Sequence, residues 1–208
     1  MGYSLVGRVW TVASFAPYLS KISTRWAKGV TIHHTGTPDL GQRPQGFVVR
    51  HMKNIAHFYK YKLRWSRGPH LFIDDDQIFG MSSLWERGVH ARSFNSGYYG
   101  IEVLGNYDYD DPHSGRGKLC WDTAAKTTAI FLKKMSLPAN GNTIKFHRDD
   151  PKTSKSCPGK LVYKDWFIEK VKVELKALSA SSGDTLLSDS ERLRLLEIEV
   201  QKLKVKIG

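Results

Sequence analysis

The stretch that most constrains this chain is His147-Arg148-Asp149-Asp150-Pro151-Lys152-Thr153-Ser154-Lys155-Ser156-Cys157-Pro158. It follows the short apolar run Thr143-Ile144-Lys145-Phe146, and its two prolines keep it out of helix. An imidazole at a strand end and a thiol ten residues later on a loop can therefore face one point. Zinc is the first-row metal that best tolerates mixed nitrogen and sulfur ligands, and a catalytic zinc takes three protein ligands and leaves a fourth position for water. The third ligand should sit on another rigid element. Val30-Thr31-Ile32-His33-His34-Thr35 supplies paired histidines at the end of a β-branched run. Strand alternation puts Ile32 and His34 on one face, and His33 with Thr31 and Thr35 on the other. One of the two histidines is expected to meet the metal, and periodicity alone does not say which.

A chain of 208 residues accommodates one ordinary domain and an appendage. Its net charge of +12 implies an acidic partner or surface. Basic runs such as Lys60-Tyr61-Lys62-Leu63-Arg64-Trp65 carry no nucleic-acid-binding signature and read as solvated faces, so no nucleic acid is expected. Cys120 and Cys157 allow one disulfide at most, which points to synthesis in a reducing cytoplasm. Met1 to Arg8 lacks a basic segment followed by an apolar one, and no stretch reaches the roughly 20 apolar residues of a membrane span. Neither an export signal nor a transmembrane segment is expected.

Along the chain, Trp10 to Leu19 reads as a short helix that Thr11 caps and Pro17 confines or kinks. Gly46 to Leu63 reads as an amphipathic helix on Phe47, Val48, Ile55, Phe58 and Tyr59, with His51 and His57 structural. His70 to Ile73 and Gln77 to Gly80 read as strands joined by the turn Asp74-Asp75-Asp76, which lacks the spacing of a calcium loop. Val89-His90-Ala91 and Gly100 to Asn106 read as inner strands. A loop to Lys118, a helix from Trp121 to Met135 with Asp122 in its first turn, and a helix from Tyr163 to Leu178 follow. This alternation predicts an α/β fold, a mixed central β-sheet flanked by helices with a C-terminal helical extension. Glu102 stands inside an apolar strand pattern, so it must be paired, face water, or line a site.

The strand ending in His33-His34-Thr35, the run Gly100-Ile101-Glu102-Val103-Leu104-Gly105, and the final His147 to Cys157-Pro158-Gly159 occur together in one order. In this the chain resembles the zinc-dependent N-acetylmuramoyl-L-alanine amidases of type 2, whose fold is shared by peptidoglycan recognition proteins and phage amidase lysozymes. The likeness runs from about Trp10 to Val173. It implies one Zn2+ per chain on His33, His147 and Cys157, and Glu102 as general base. Lys155 would be the cation facing the oxyanion, with Lys152 and Lys160 as alternatives in the same loop. His90 and His34 would lie at the substrate, His34 serving packing or the ligand surroundings. Some phage relatives carry a tyrosine before the histidine of the earlier strand where this chain has Pro69 before His70, which leaves Glu102 the proton-transfer role.

The resemblance further implies peptidoglycan as substrate, cut at the amide between N-acetylmuramic acid and L-alanine. It suggests a phage or prophage endolysin, made in the host cytoplasm and acting on the wall once the membrane is opened. Two other readings share the motifs. A non-catalytic receptor typically loses the thiol ligand, which is present here, and a closed structural zinc site would need a fourth ligand.

The expected domains are a catalytic domain over 1–178, a linker over 179–183 and a C-terminal helix over 184–208. Ser188 and Glu191 form a capping box, and Leu193, Leu196, Val200, Leu203 and Ile207 trace a heptad seam. Leu195, Ile198 and Val205 would let this helix fold back on its own domain, whereas the heptad pattern behind a linker favours self-association into a homo-oligomer.

Overall fold

The computed structural model describes residues 5–184. Six strands, β1 (Val9–Trp10), β2 (Gly29–His34), β3 (Leu71–Ile73), β4 (Ile78–Gly80), β5 (Tyr98–Val103) and β6 (Ile144–Phe146), form one sheet in the order β1-β4-β3-β5-β2-β6. The helices are α1 (Val12–Ser20), α2 (Val49–Tyr61), α3 (Gly115–Met135) and α4 (Lys164–Asp184), with a 3-10 turn at His147–Asp149. Strand β2 pairs in parallel with β5 and β6, β5 in parallel with β3, and β4 antiparallel with β3 and β1. The sheet is therefore mixed and the fold α/β, as the alternation of the sequence predicts.

Period-2 alternation gives the sheet two unlike faces. Val30, Ile32, Leu71, Ile73, Tyr99, Ile101, Ile144 and Phe146 are wholly buried on one of them. Tyr99 stacks on Phe131 of α3 with ring centroids 4.3 Å apart, Phe131 meets Phe15 of α1 at 5.5 Å, and Phe167 of α4 meets both Trp121 and Phe146. Burying each such side chain contributes about 1.5 to 3 kcal/mol before ordering costs, so this face is the core. Thr31, His33, Gly100, Glu102 and Phe72 share the opposite face through the register of β2, β5 and β3.

The acidic turn is a hairpin turn. Asp74 is buried, and its carboxylate accepts the N–H groups of Gln77 at 2.9 Å and Phe47 at 2.7 Å, while Asp75 holds Arg116 in a two-pronged pair. The Thr11 cap of α1 forms as expected, with Pro17 inside the helix.

Four expectations are corrected. Val89-His90-Ala91 is a bend rather than a strand, because the N–H groups of His90 and Ala91 both donate to the side chain of Asn95, at 2.7 and 2.9 Å, and are lost to any ladder. Helix α3 starts at Gly115, two turns before Trp121; Gly117 read as loop, yet it packs so close to the Asp111 carbonyl that a Cβ would stand 2.0 Å from that oxygen. Asp122 consequently lies past the first turn, where it pairs with Lys118 and Lys170. Helix α2 buries Met52 and Ala56, while Val48 and Phe58 are about half exposed. Finally, α4 continues to Asp184, so 179–183, expected to interrupt the helices, is itself helical; serine and alanine tolerate helix, and a lone Gly183 costs only about 1 kcal/mol.

One compact unit, Met1–Leu175, carries the sheet, and a second begins at Lys176. The heptad-patterned helix expected over 184–208, and the self-association built on it, lie outside the described residues beyond Asp184. No described helix is long and apolar enough to cross a membrane.

A candidate metal centre at the ends of three parallel strands

Strands β2, β5 and β6 run in parallel and end together, the place where open α/β sheets present their ligand sites. His33 on β2 lies opposite Glu102 on β5, so their side chains project from one face at one depth. Phe146 of β6 lies opposite Ile32, and His147 is the next residue. The loop then returns Cys157 to the same point. His33 Nδ1 is 3.1 Å from His147 Nδ1 and 3.8 Å from Cys157 Sγ, and the three residues offer ligand atoms within 4.8 Å of one another. His34, on the other side of the strand, is not among them. Its Nδ1 accepts the Tyr107 N–H at 3.1 Å, although its ring still borders the cavity.

The Cys157 loop has no ladder and is held by side chains. Arg148 donates to the carbonyls of Ser156, Gly159 and Val162 at 3.2, 2.8 and 2.6 Å, and its backbone N–H donates to the Cys157 carbonyl at 2.8 Å. Asp108 accepts the Ser156 hydroxyl and the Lys160 N–H, each at 2.8 Å. Asp150 is buried and accepts the N–H and hydroxyl of Ser93. Gly159, at φ +116°, presses against the Tyr107 backbone where a Cβ would stand 2.4 Å from the carbonyl carbon, a contact and a conformation open to glycine alone.

These residues fit a zinc ion. Desolvation, and then the neighbouring imidazoles and Lys155, hold His33 well below its ordinary pKa; desolvation and Lys155 do the same to His147, so both rings are neutral with lone pairs to offer. For that reason the 3.8 Å approach of His33 to Glu102 is not an ion pair. Burial pushes the Cys157 thiol up, a cost that a dication would reverse, and the His34 N–H aims at its sulfur from 3.4 Å. Two imidazole nitrogens and one thiolate are a donor set that zinc takes in catalytic sites, leaving a coordination position open.

Glu102 borders the centre with its side chain 14% exposed, and burial lifts its pKa to about 8 against the pull of Lys155. Lys155 lines the same cavity of about 420 Å³, which Lys152 and Lys160 do not. His90 also lines it, but both ring nitrogens are engaged, Nδ1 with His33 Nε2 and Nε2 with the Tyr98 carbonyl, each at 3.1 Å.

Sequence reasoning missed the rest of the wall. Phe58, Tyr59 and Trp65 line the cavity, and two smaller depressions share Phe58 with it, one beside Arg43, His51 and Asn54 and one beside Thr37 and Phe72. The apolar residues of α2 that the core leaves unused thus border a groove running from the metal centre. Their excess over what one buried stripe requires was the available signal.

The family model for N-acetylmuramoyl-L-alanine amidases matches residues 23–160, a span that contains all three of these strands and the Cys157 loop. The chain belongs to this family. Peptidoglycan-recognition protein 2 of Holotrichia diomphalia is 30% identical over 89 residues, 42% of this chain and 46% of that protein, so the match spans about half the relative's length. Among solved structures, the N-acetylmuramoyl-L-alanine amidase LysC from Clostridium intestinale superposes with a TM-score of 0.56 at 18% identity, covering 82% of this chain and 94% of that one. Drosophila PGRP-LB, solved as a variant in complex with tracheal cytotoxin, gives 0.53 at 19% identity over 79% of this chain and 87% of its own. At such identities these two show a common fold, the one shared by amidases and peptidoglycan recognition proteins.

Proposed function

We propose that this chain is a zinc-dependent hydrolase of peptidoglycan that cleaves the amide between the lactyl group of N-acetylmuramic acid and L-alanine. The observation that carries the reading is the strand register that sets Glu102 opposite His33, with the donors of His147 and Cys157 gathered at the same point. Zinc held by His33, His147 and Cys157 would polarise the scissile carbonyl and acidify water. Glu102, beside the ligand set, takes a proton from the attacking water and hands it to the leaving nitrogen of L-alanine. The Lys155 ammonium, on the same cavity, opposes the charge that develops on the carbonyl oxygen. Phe58, Tyr59 and Trp65 give the sugar and stem peptide apolar surface to lie on.

Family membership and the amidase name of the Clostridium neighbour support the reaction, and PGRP-LB, which shares the fold, was solved with tracheal cytotoxin bound. Within the same reading the chain acts as a bacteriolytic endolysin of phage or prophage origin, whose charge of +12 suits an anionic cell envelope. Mass spectrometry of purified peptidoglycan after digestion tests the reaction. Stem peptides with a free N-terminal L-alanine are expected. New reducing sugar ends would make the chain a glycosidase, and intact peptidoglycan beside a zinc-loaded chain would return it to the receptors.

A further inference from the structure

We propose that His90 is a positioning residue that sets the tautomer of His33 and thereby aims a bare Nδ1 at the metal site. The inference rests on the metal site described above, and not on the reaction. A backbone carbonyl can only accept, so the Tyr98 oxygen, 3.1 Å from His90 Nε2, requires the proton on that nitrogen. A neutral imidazole has one ring proton to place, and His90 enters no ion pair among the described residues. His90 Nδ1 is therefore an acceptor. His33 Nε2, 3.1 Å away, is its donor, and His33 in turn keeps Nδ1 unprotonated, the nitrogen that faces His147 and Cys157. The direction of the whole relay is decided at its far end by a group that cannot change role. Ligand histidines are commonly oriented by a carboxylate or carbonyl on the second nitrogen; here a second imidazole stands between the ligand and the carbonyl.

A separate observation shows that the backbone makes room for this ring. A Cβ on Gly100 would stand 2.5 Å from His90 Cγ and 2.6 Å from Cδ2, so the glycine before Ile101 and Glu102 is a socket for the His90 imidazole. The N–H of Gly100 donates to His70 Nδ1 at 2.9 Å, and His70 Nε2 donates to the Glu86 carbonyl at 2.9 Å, so the strand is braced where the ring rests on it. On the other flank, Asn95 Oδ1 receives the backbone N–H of His90 itself.

The test uses the full chain and two substitutions with opposite chemistry. His90→Phe keeps a ring in the socket and removes the acceptor. His90→Asn loses the ring and keeps an acceptor near the position of Nδ1. Zinc affinity is read by competition with a chromophoric chelator, and the His33 tautomer of the zinc-free chain by nitrogen-15 imidazole shifts. In the wild type His33 is expected with its proton on Nε2. His90→Phe should weaken zinc binding about 10- to 100-fold and shift His33 towards the Nδ1-protonated form, and His90→Asn should recover most of both. Gly100→Ala should behave like His90→Phe. Wild-type zinc affinity in His90→Phe, a wild-type His33 protonated on Nδ1, or equal losses in both variants with the tautomer unmoved would each overturn the proposal. Peptidoglycan left uncut, beside this pattern of affinities and shifts, would count against the amidase reading alone.

Discussion

His33 and Glu102 sit on neighbouring parallel strands, where the backbone ladder sets them opposite each other, whereas His147, Lys155 and Cys157 belong to a turn and loop with no ladder. The strand half needs little further support beyond room for the His90 ring. The loop half is tied down by side chains: its own Arg148 binds three nearby carbonyls, and more distant ties join Asp108 to Ser156 and Lys160 and Asp150 to Ser93. A ladder distributes its hold over many bonds, so no one substitution releases it. The side-chain ties can be cut one at a time, and the halves should therefore fail differently.

The largest effects should be blind to that difference. His33→Ala from the strand half, and His147→Ala or Cys157→Ala from the loop half, each remove one of the three proposed ligands and should abolish both zinc retention and amidase activity. Elemental analysis with a turbidity assay on cell walls reads both. Full zinc and full activity in Cys157→Ala would remove it from the site, and the same result for His33 would transfer its role to His34.

Next come the two groups that border the centre without belonging to the ligand set. Glu102→Gln preserves shape and removes the proposed base, so it should keep zinc and lose about 10²- to 10⁴-fold in kcat. Lys155→Ala should lose about 10²- to 10³-fold through the oxyanion. Wild-type turnover by Glu102→Gln would take the strand half out of proton transfer. A smaller effect should separate the halves. Arg148→Ala should cost about 1.5 to 3 kcal/mol, the worth of hydrogen bonds from a charged donor, and should loosen zinc by releasing Cys157. Urea unfolding with and without zinc measures both, and an unchanged midpoint would mean that the loop holds itself.

The same contrast decides what could be read from the sequence. Strands β2, β5 and β6 and the β3–β4 hairpin show as apolar runs with turn residues between them, and the turn carrying Asp74 is legible from its neighbours. Periodicity separates His33 from His34 without ranking them; only the pairing of β2 with β5, a contact between segments about 70 residues apart, places His33 beside Glu102. Arg148 and Asp150 leave no signal, because their partners are backbone groups and a hydroxyl chosen by the folded path, and an arginine in a polar loop reads the same whether tied or free. Val89-His90-Ala91 misleads for a different, local reason. Its β-like composition is overridden by the side chain of Asn95, only four to five residues on, which takes the N–H groups of His90 and Ala91.

Acid and base should act on the two regions with opposite sign. Beside the strand half, burial lifts Asp74 from an ordinary 3.8 to about 6, despite the N–H groups of Phe47, Gln77 and Asp76 that favour its charged form. The folded chain therefore holds this proton more tightly than the unfolded one. Its contribution to stability is fully present below about pH 4 and is lost as the pH rises through about 6. Asp108 and Asp150 in the loop half behave oppositely: burial would raise them, but the Lys160 N–H and Ser156 hydroxyl on one, and the Ser93 N–H and hydroxyl on the other, outweigh it and hold both below the ordinary value. What they contribute is present at neutral pH and is lost as the pH falls below about 4. Asp74→Asn cannot titrate. The stability of wild type minus that of this variant should fall by on the order of 1 to 2 kcal/mol between pH 4 and 7, and level off beyond. Subtracting at each pH cancels the histidines common to both chains. For Asp150→Asn the same subtraction should be flat over that range and fall only in stronger acid. Urea midpoints at half-unit steps of pH would show it, and an Asp74 difference that rises with pH would mean that the hairpin carboxylate is held for its charge, as those of the loop are.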